Sequence, residues 1–293
     1  MRPMDGVAVL TLAVNLPGPW AVARLRDLGA TVVKVEPPGG DALARARPEW
    51  YEQLHRGQTV LTLDLKADEG RRQLEERLAC CDLLITSTRP AGLRRLGLDW
   101  PALHARHPRV CQVAIVGYPS PHQDLPGHDL TYQARAGLLD PPRLPRTCLA
   151  DLAGAEQVVS AALALLLARE RGQGAQYAEV SLAQTAEEFA APWRHGLTTP
   201  DGLLGGAHPG YNLYRAREGW VAVAALEVHF WEKLIAEMAL TAPDRAGLRQ
   251  AFLARTAEEW EAWAAERGLP LVRVREVATD GDPSDAGPSA PAL

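Results

Sequence analysis

Short, continuous apolar runs alternate with helically spaced segments along the first half of the chain. The runs at residues 6–12 and 31–36 predict buried strands, and the spacing over 20–28 predicts a helix between them. The turn 16–19 breaks the first run, and Gly29 is a natural end for the helix. This strand–helix–strand order predicts a right-handed crossover within a parallel sheet.

The same alternation continues to about residue 188. It predicts strands at 60–65, 82–86, 110–116 and 176–182, and helices at 68–79, 101–107, 151–171 and 186–197. Because residues 151–171 are apolar almost all round, we expect that helix to be buried. We therefore predict an α/β protein whose large domain, residues 1–188, is Rossmann-like with an open parallel sheet.

The pattern changes after a predicted linker at 189–204. Residues 211–214 and 220–224 predict a hairpin. Helices are predicted at 228–238, 246–254 and 257–267, with a returning strand at 271–277. This predicts a small α+β domain over 205–278. Asp, Gly, Pro, Ser and Ala dominate the end of the chain, which predicts a disordered tail at 279–293.

Composition narrows the class of partner. The formal charge of −5 disfavours a nucleic-acid surface. The N-terminus lacks an apolar signal region, and the longest apolar run, 161–168, is too short to span a bilayer. Four cysteines without CxxC spacing indicate reduced thiols. We expect a cytoplasmic protein without membrane or nucleic-acid partners.

The first strand, turn and helix also raise the possibility of a dinucleotide site, with Glu36 near the place of a ribose-binding carboxylate. The turn at 15–19 lacks GxGxxG, however, and Pro17 and Pro19 cannot donate the backbone N–H groups that hold a pyrophosphate. No P-loop, HExxH or GxSxG motif occurs either. The sequence thus disfavours nucleotide redox, zinc-protease and α/β-hydrolase chemistry.

Three distant segments carry candidate chemistry: Gly127-His128-Asp129, Ala150-Asp151-Leu152 and Ala225-Leu226-Glu227. An imidazole and two carboxylates are the groups needed to move a proton on and off a carbon beside a carbonyl. Each residue also has an ordinary structural explanation. Asp151 suits a helix N-cap, His128 a hydrogen-bonded loop, and Glu227 an exposed helix start.

Flanking segments give these residues a family context. They include Leu16-Pro17-Gly18-Pro19, the run from Leu28-Gly29-Ala30 to Pro38-Gly39-Gly40-Asp41, Leu63-Asp64-Leu65-Lys66, Arg89-Pro90 and Gly172-Gln173-Gly174. In this order they resemble the class III CoA-transferases, and among them the α-methylacyl-CoA racemases. The resemblance implies a Rossmann-like large domain, a small domain and an interlocked homodimer. It also implies CoA as a substrate thioester, with no metal or redox cofactor.

The resemblance also implies roles for individual residues. Asp151 would attack the thioester in a transferase, or act as one of two α-carbon bases in a racemase. His128 would be the opposing base, at a position where transferases usually carry an aromatic residue, and Glu227 would partner it. Positions that match CoA contacts of the family are Asn15, Leu63, Lys66, Thr88, Arg89 and Arg95.

One departure from the family concerns the end of the chain. Family members continue past the small domain and return to the large one, whereas here only the Pro/Gly/Ser-rich tail follows Val277. We therefore expect altered interlocking and an incomplete CoA cleft. Three hypotheses follow: a racemase-like enzyme, a CoA-transferase that uses an acyl-aspartyl anhydride, and a non-catalytic acyl-CoA-binding paralogue.

Overall fold

Six parallel strands form the central sheet in the computed structural model, which describes residues 2–275. The strands are β1 (Ala8–Thr11), β2 (Thr31–Glu36), β3 (Thr59–Thr62), β4 (Leu83–Thr86), β5 (Cys111–Val116) and β6 (Tyr177–Ser181). They lie in the order β3-β2-β1-β4-β5-β6, and Val9 of β1 pairs with Val32 on one side and Leu83 on the other. The order therefore reverses between β1 and β4, where sheets of this kind bind ligands at the carboxyl ends of their strands. The predicted fold class is confirmed.

Helices cover both faces of this sheet. They are α1 (Pro17–Asp27), α2 (Ala42–Ala46), α3 (Pro48–His55), α4 (Asp68–Leu78), α5 (Pro90–Leu96), α6 (Trp100–Arg106), α7 (Asp129–Arg135), α8 (Leu149–Ala168) and α9 (Leu182–Phe189). One core joins α1, α8 and α9 to the sheet, and a second joins α4, α5 and α6 to its other face. The inner strands β1, β4 and β5 are almost wholly buried because both faces of the sheet are covered.

Helix α8 is the most apolar of the helices that cover the sheet. With the π turn Arg169–Gln173 that follows it, α8 is long and apolar enough by composition to cross a membrane. Half of its most apolar window is buried inside the protein, and α8 packs against α1, α9, β5 and β6. The helix thus serves as a core helix, as its pattern predicts. It begins at Leu149, two residues before the predicted start, with Cys148 as its N-cap.

Several boundaries differ from the predicted ones for identifiable reasons. Helix α1 begins at Pro17 rather than at residue 20, because proline is tolerated in the first helical turn, where no intrahelical acceptor awaits its nitrogen. Helices α2, α3 and α5 have only five to eight residues, too few to show a clear helical period. The helix predicted at 186–197 is instead two helices, α9 and α10 (Ala191–Arg194).

The chain divides into two compact units, Met1–Ala190 and Ala191–Leu293. In the second unit, β7 (Tyr211–Arg215), β8 (Trp220–Ala224) and β9 (Leu271–Arg273) form an antiparallel sheet. Its main helices are α11 (Val228–Glu237), α12 (Arg245–Phe252) and α13 (Ala257–Arg267). The predicted hairpin is confirmed. Three aromatic side chains, Phe252, Trp260 and Trp263, pack with the inner face of this sheet to form a separate core.

Part of the predicted domain division concerns residues beyond 275, which the structure does not describe. The proposed linker 189–204 contains helix α10 and the first residues of a short 3-10 turn, Leu203–Gly205. The proposed tail, 279–293, and the last residues of the proposed small domain, 276–278, lie outside the described residues. The boundaries 1–188, 189–204 and 205–278 therefore remain predictions.

Candidate active site

A cavity of about 480 Å³ lies at the carboxyl ends of the first four strands. Its walls come from the segments that follow β1, β2, β3 and β4, and from the last turn of α5. The lining residues are Leu12, Val14, Val35, Glu36, Pro37, Pro38, Leu63, Asp64, Leu65, Lys66, Thr88 and Leu96. The cavity adjoins the crevice where the strand order reverses, which is the expected place for a ligand in this fold.

The six candidate CoA contacts divide into two groups. Leu63, Lys66 and Thr88 line the cavity, whereas Asn15, Arg89 and Arg95 do not. Asn15 is exposed in the turn between β1 and α1, where it adopts a positive φ of 67°. Both arginines are exposed at opposite ends of α5, with Arg89 as its N-cap. The structure thus gathers half of the predicted set around one cavity.

His128 is exposed and is the N-cap of α7. Its backbone N–H donates to Thr131 Oγ1 at 3.1 Å, and the Thr131 hydroxyl donates to the His128 carbonyl at 2.8 Å. These bonds fix the main chain of His128 at the start of α7. Because His128 is exposed, its imidazole is accessible for exchange of a proton with a substrate.

Gly127 is required by the packing of Tyr132 behind the histidine. A Cβ atom at Gly127 would lie 2.5 Å from Tyr132 Cε1 and 2.8 Å from its hydroxyl. Tyr132 is buried and makes an edge-on contact with Tyr118, with ring centroids 5.3 Å apart. The glycine of the Gly-His-Asp motif thus allows the chain to pass closely over a buried phenol.

Asp129 links this loop to α8. Its Oδ1 accepts a hydrogen bond from the backbone N–H of Asp151 at 3.1 Å, and its Oδ2 accepts one from Gln133 Nε2 at 2.6 Å. Asp129 is buried, so its bond to Gln133 is shielded from water and its bond to Asp151 is partly shielded. The motif containing His128 is thereby tied directly to Asp151, although 22 residues separate the two aspartates.

Burial dominates the electrostatics of Asp151. The backbone N–H groups at a helix N-terminus by themselves favour an ionised carboxylate. Asp151 lies in the first turn of α8, but burial, assisted by the nearby Asp129 carboxylate, raises its pKa from 3.8 to about 7. Desolvation and a like charge outweigh the helix dipole at this position. Asp151 can therefore both release and accept a proton near neutral pH.

The pKa values of Tyr132 and Cys148 are also shifted by burial and by the charges around Asp151. Burial raises the pKa of Tyr132 to about 12, with help from Tyr118 and Asp151, while the positive charge of Arg89 acts in the opposite direction. Burial and the two aspartates also raise the pKa of Cys148. The Cys148 thiol therefore stays protonated at neutral pH.

Glu227 belongs to the second unit, where it is exposed and forms the N-cap of α11. Its side chain makes no capping hydrogen bond, so the carboxylate is not committed to its own helix. A pairing of Glu227 with His128 remains a prediction. Asp129 and Tyr132 were not assigned roles from sequence, although Asp129 is the third residue of the Gly-His-Asp motif.

One buried group in the described residues has the composition of a metal site. Oxygen or nitrogen atoms of Glu36, Asp41 and His55 all lie within 4.8 Å of one another. The Lys34 ammonium sits among them, 2.8 Å from Glu36 Oε1, 2.5 Å from Asp41 Oδ2 and 2.9 Å from His55 Nε2. A cation already supplied by the chain therefore holds these ligand atoms.

Comparison with known proteins gives the family. Residues 4–280 match CoA-transferase family III, and the chain belongs to that family. The fold agrees: the crystal structure of a Mycobacterium tuberculosis protein superposes with a TM-score of 0.83 at 26% identity, over 94% of this chain and 84% of that one. A CAIB/BAIF family protein from Brucella suis superposes with a TM-score of 0.80 at 26% identity, over 94% of this chain and 85% of that one.

Relatives of both reaction types are similar to this chain. A probable fatty acyl-CoA transferase of M. tuberculosis is 28% identical over 80% of this chain and 68% of its own length. The human α-methylacyl-CoA racemase is 30% identical over 81% of this chain and 65% of its own length. A succinyl-CoA–D-citramalate CoA-transferase of Chloroflexus aurantiacus is 32% identical over 59% and 48%. The matches thus span 48% to 68% of the length of these relatives.

Proposed function

We propose that this protein is an acyl-CoA-processing enzyme that removes and returns the α-proton of an acyl-CoA, as a 2-methylacyl-CoA racemase does. The observation that carries the proposal is the state of Asp151. A carboxyl group with a pKa of about 7 has an affinity for protons suited to a base that must also act as an acid. Asp129 ties that group to the segment carrying His128.

The reaction needs two proton carriers and no oxidant. The thioester acidifies the α-carbon, and one of Asp151 and His128 takes the proton from one face. An enolate forms, and the conjugate acid of the other residue returns a proton to the opposite face. The N–H groups of Leu149 and Ala150 in the first turn of α8 have no acceptors within the helix and suit the enolate oxygen, whereas the Asp151 N–H is already bonded to Asp129. Glu227 would orient the His128 imidazole and stabilise its protonated form.

CoA recognition is assigned to the cavity at the ends of β1–β4. Lys66 provides a cation at its rim for a phosphate, and Leu63 with the neighbouring apolar residues provides a surface for the adenine base. Arg89 lies outside the cavity lining and its positive charge acts on Tyr132, so we assign it to the thioester end of CoA rather than to the adenine. We propose CoA as a substrate thioester without a metal or redox cofactor.

The second candidate is a CoA-transferase. In that reaction the ionised Asp151 attacks the thioester carbonyl, the C–S bond breaks, and CoA leaves as a thiolate while the acyl group stays on Asp151 as a mixed anhydride. The acceptor carboxylate then takes the acyl group from Asp151, and the CoA thiolate attacks the acceptor carbonyl of the resulting anhydride, which forms the new thioester and releases the first acid. Transferases among the relatives favour this reaction. The raised pKa of Asp151 suits the racemase, in which the same carboxyl group must both take and return a proton near neutral pH, whereas a nucleophile needs only its ionised form.

One experiment separates the possibilities. The protein is incubated in D₂O with a 2-methylacyl-CoA and a free carboxylic acid, and the products are analysed by mass spectrometry. Deuterium at the α-carbon, lost in Asp151→Asn and His128→Ala but retained in Asp244→Asn, supports the racemase. A new acyl-CoA without deuterium identifies a transferase. CoA binding without either product, across branched and straight acyl chains, leaves the non-catalytic paralogue.

We also propose that the enzyme works as a cytoplasmic homodimer. The apolar side chains of Leu163 and Leu167 on α8 and of Phe189 on α9 are exposed on the single chain, which favours a partner surface. The four cysteines are unpaired, in keeping with a reducing compartment. Light scattering after size-exclusion chromatography measures the mass directly, and a monomer at micromolar concentration would contradict the proposal.

A further inference from the structure

Lys34, on β2, is fully buried and has no contact with water. Its ammonium has three donor hydrogens, and three acceptors surround it: Glu36 Oε1 at 2.8 Å, Asp41 Oδ2 at 2.5 Å and His55 Nε2 at 2.9 Å. The charge is therefore fully paired and hydrogen-bonded. We call Lys34, Glu36, Asp41, Tyr51 and His55 the Lys34 cluster.

His55 is present as the neutral form in this cluster. Its Nδ1 lies 2.7 Å from the Tyr51 carbonyl oxygen, which can only accept, so Nδ1 carries the hydrogen. Nε2 is then free to accept from Lys34. Burial lowers the pKa of His55, with Lys34 acting in the same direction, which also favours the neutral ring. The hydrogen-bond network thus assigns one tautomer.

Asp41 connects Lys34 to the turn after β1 through hydrogen bonds. While Oδ2 accepts from Lys34, Oδ1 accepts from the backbone N–H groups of Asn15 at 3.1 Å and Leu43 at 2.9 Å. Asn15 has a positive φ of 67°, a conformation that needs support from its surroundings. Because Lys34 orients the Asp41 carboxylate, it also supports the Asn15 turn.

Glu36 connects Lys34 to the wall of the cavity. Its Oε1 accepts from Lys34 and also from the Tyr51 hydroxyl at 2.7 Å, while the residue lines the cavity at the ends of β1–β4. One ammonium therefore joins a cavity wall, at the end of β2, to the turn between β1 and α1. The Asn15 turn lies at the crevice where the strand order reverses, and the cavity adjoins that crevice.

We infer that Lys34 is a positioning residue for CoA: through Glu36 and Asp41 it sets the distance between the cavity wall and the Asn15 turn before any ligand arrives. The inference rests on the proposed function, in which this cavity receives CoA. Preorganisation of this kind lowers the ordering cost of binding. It therefore acts on CoA affinity and leaves proton transfer at Asp151 largely unaffected.

Direct removal of the lysine is a poor test, since it leaves two buried carboxylates without their cation and risks unfolding. Asp41→Asn is milder, because the amide oxygen can still accept from Asn15 and Leu43 while the ion pair to Lys34 is lost. His55→Gln and His55→Leu form a matched pair. Glutamine can accept from Lys34 and donate to the Tyr51 carbonyl, whereas leucine offers neither bond.

The test measures CoA binding by calorimetry, KM and kcat for the acyl-CoA, and the melting temperature. Loss of a charged hydrogen bond predicts roughly tenfold weaker CoA binding and a higher KM in Asp41→Asn and His55→Leu, with little change in kcat. His55→Gln should restore affinity to near that of the wild type. Asp244→Asn is the control, because Asp244 likewise accepts from a backbone N–H at a helix start, that of Gly247 at 2.8 Å, but in the second unit.

The outcomes separate this inference from the proposed function. If the wild type does not bind CoA, both are wrong. If it binds CoA and the variants melt earlier but bind CoA as tightly as the wild type, the cluster is merely structural and the inference is wrong while the proposed function stands. Equal weakening in His55→Gln and His55→Leu would likewise overturn it, because hydrogen bonding to Lys34 would then be irrelevant.

Discussion

The charge of Asp129 should control the pH at which Asp151 becomes a base. Raising the pKa of Asp151 from 3.8 to about 7 corresponds to a preference of roughly 4 kcal/mol for the protonated form. Burial is the larger cause and the Asp129 carboxylate the smaller. In Asp129→Asn the burial persists, so we expect the pKa of Asp151 to fall by about 1, to roughly 6.

The substitution is suited to isolating the charge. Asparagine keeps an oxygen that can accept from the Asp151 N–H, and Gln133 can turn its amide to offer oxygen instead of nitrogen. The assay is the pH dependence of α-proton exchange at low substrate concentration, together with a ¹³C titration of the aspartate carboxyl groups. The acidic limb of the exchange rate should move from about pH 7 to about pH 6.

Stability supplies a second, substrate-free readout. Because the folded pKa of Asp151 is raised, its contribution to stability is fully present below about pH 4 and is lost as the pH rises to about 7. Asp129→Asn should reduce this loss, so the variant should lose less stability than the wild type between pH 5 and pH 8. The control Asp244→Asn should follow the wild type. If the pH midpoint of the acidic limb of proton exchange is unchanged or higher in Asp129→Asn, the coupling between the two carboxylates is refuted.

Three further predictions concern single positions. Gly127→Ala should destabilise the protein by about 1–3 kcal/mol in a denaturant titration, since its Cβ would meet Tyr132; a neutral effect would show that the ring moves aside easily. Asn15→Gly should preserve stability while Asn15→Ala costs about 1–2 kcal/mol, because of the positive φ; if the side chain contacts CoA, calorimetry should show weaker binding in both variants. Thr256→Ala should cost about 1 kcal/mol by removing the cap of α13, and a melting temperature equal to that of the wild type would contradict this.

Local sequence determined the elements whose signal lies within a few residues. The buried strands of the sheet, the hairpin of β7 and β8, and helix α13 follow from periodicity. The capping box of α13 follows from the four-residue motif 256–259. The Glu259 N–H donates to Thr256 Oγ1 at 3.2 Å, and the Thr256 N–H donates to Glu259 Oε2 at 2.8 Å. Parallel pairing was also predictable, because strand–helix–strand connections dictate it.

Short or proline-led helices were less predictable. Helix α3 begins at Pro48 and has eight residues, and α2 has five residues. Neither is long enough to show a repeating apolar face. Their positions matter nevertheless, because Asp41 caps α2 and His55 ends α3. Tertiary packing decides such segments, since a single helical turn is not stable by itself.

Tertiary structure alone decided the chemistry of the candidate site. The motifs at 127–129 and 150–152 named His128 and Asp151, but the bond from the Asp151 N–H to Asp129 depends on how α7 meets α8. The raised pKa of Asp151 depends on burial and on that neighbour, and neither is visible in a linear pattern. Lys34 likewise looks like an ordinary strand residue until β2, α2 and α3 enclose it. Sequence specifies which groups are available, whereas the folded chain determines their distances and their exclusion from water, and on these the energies of charges depend.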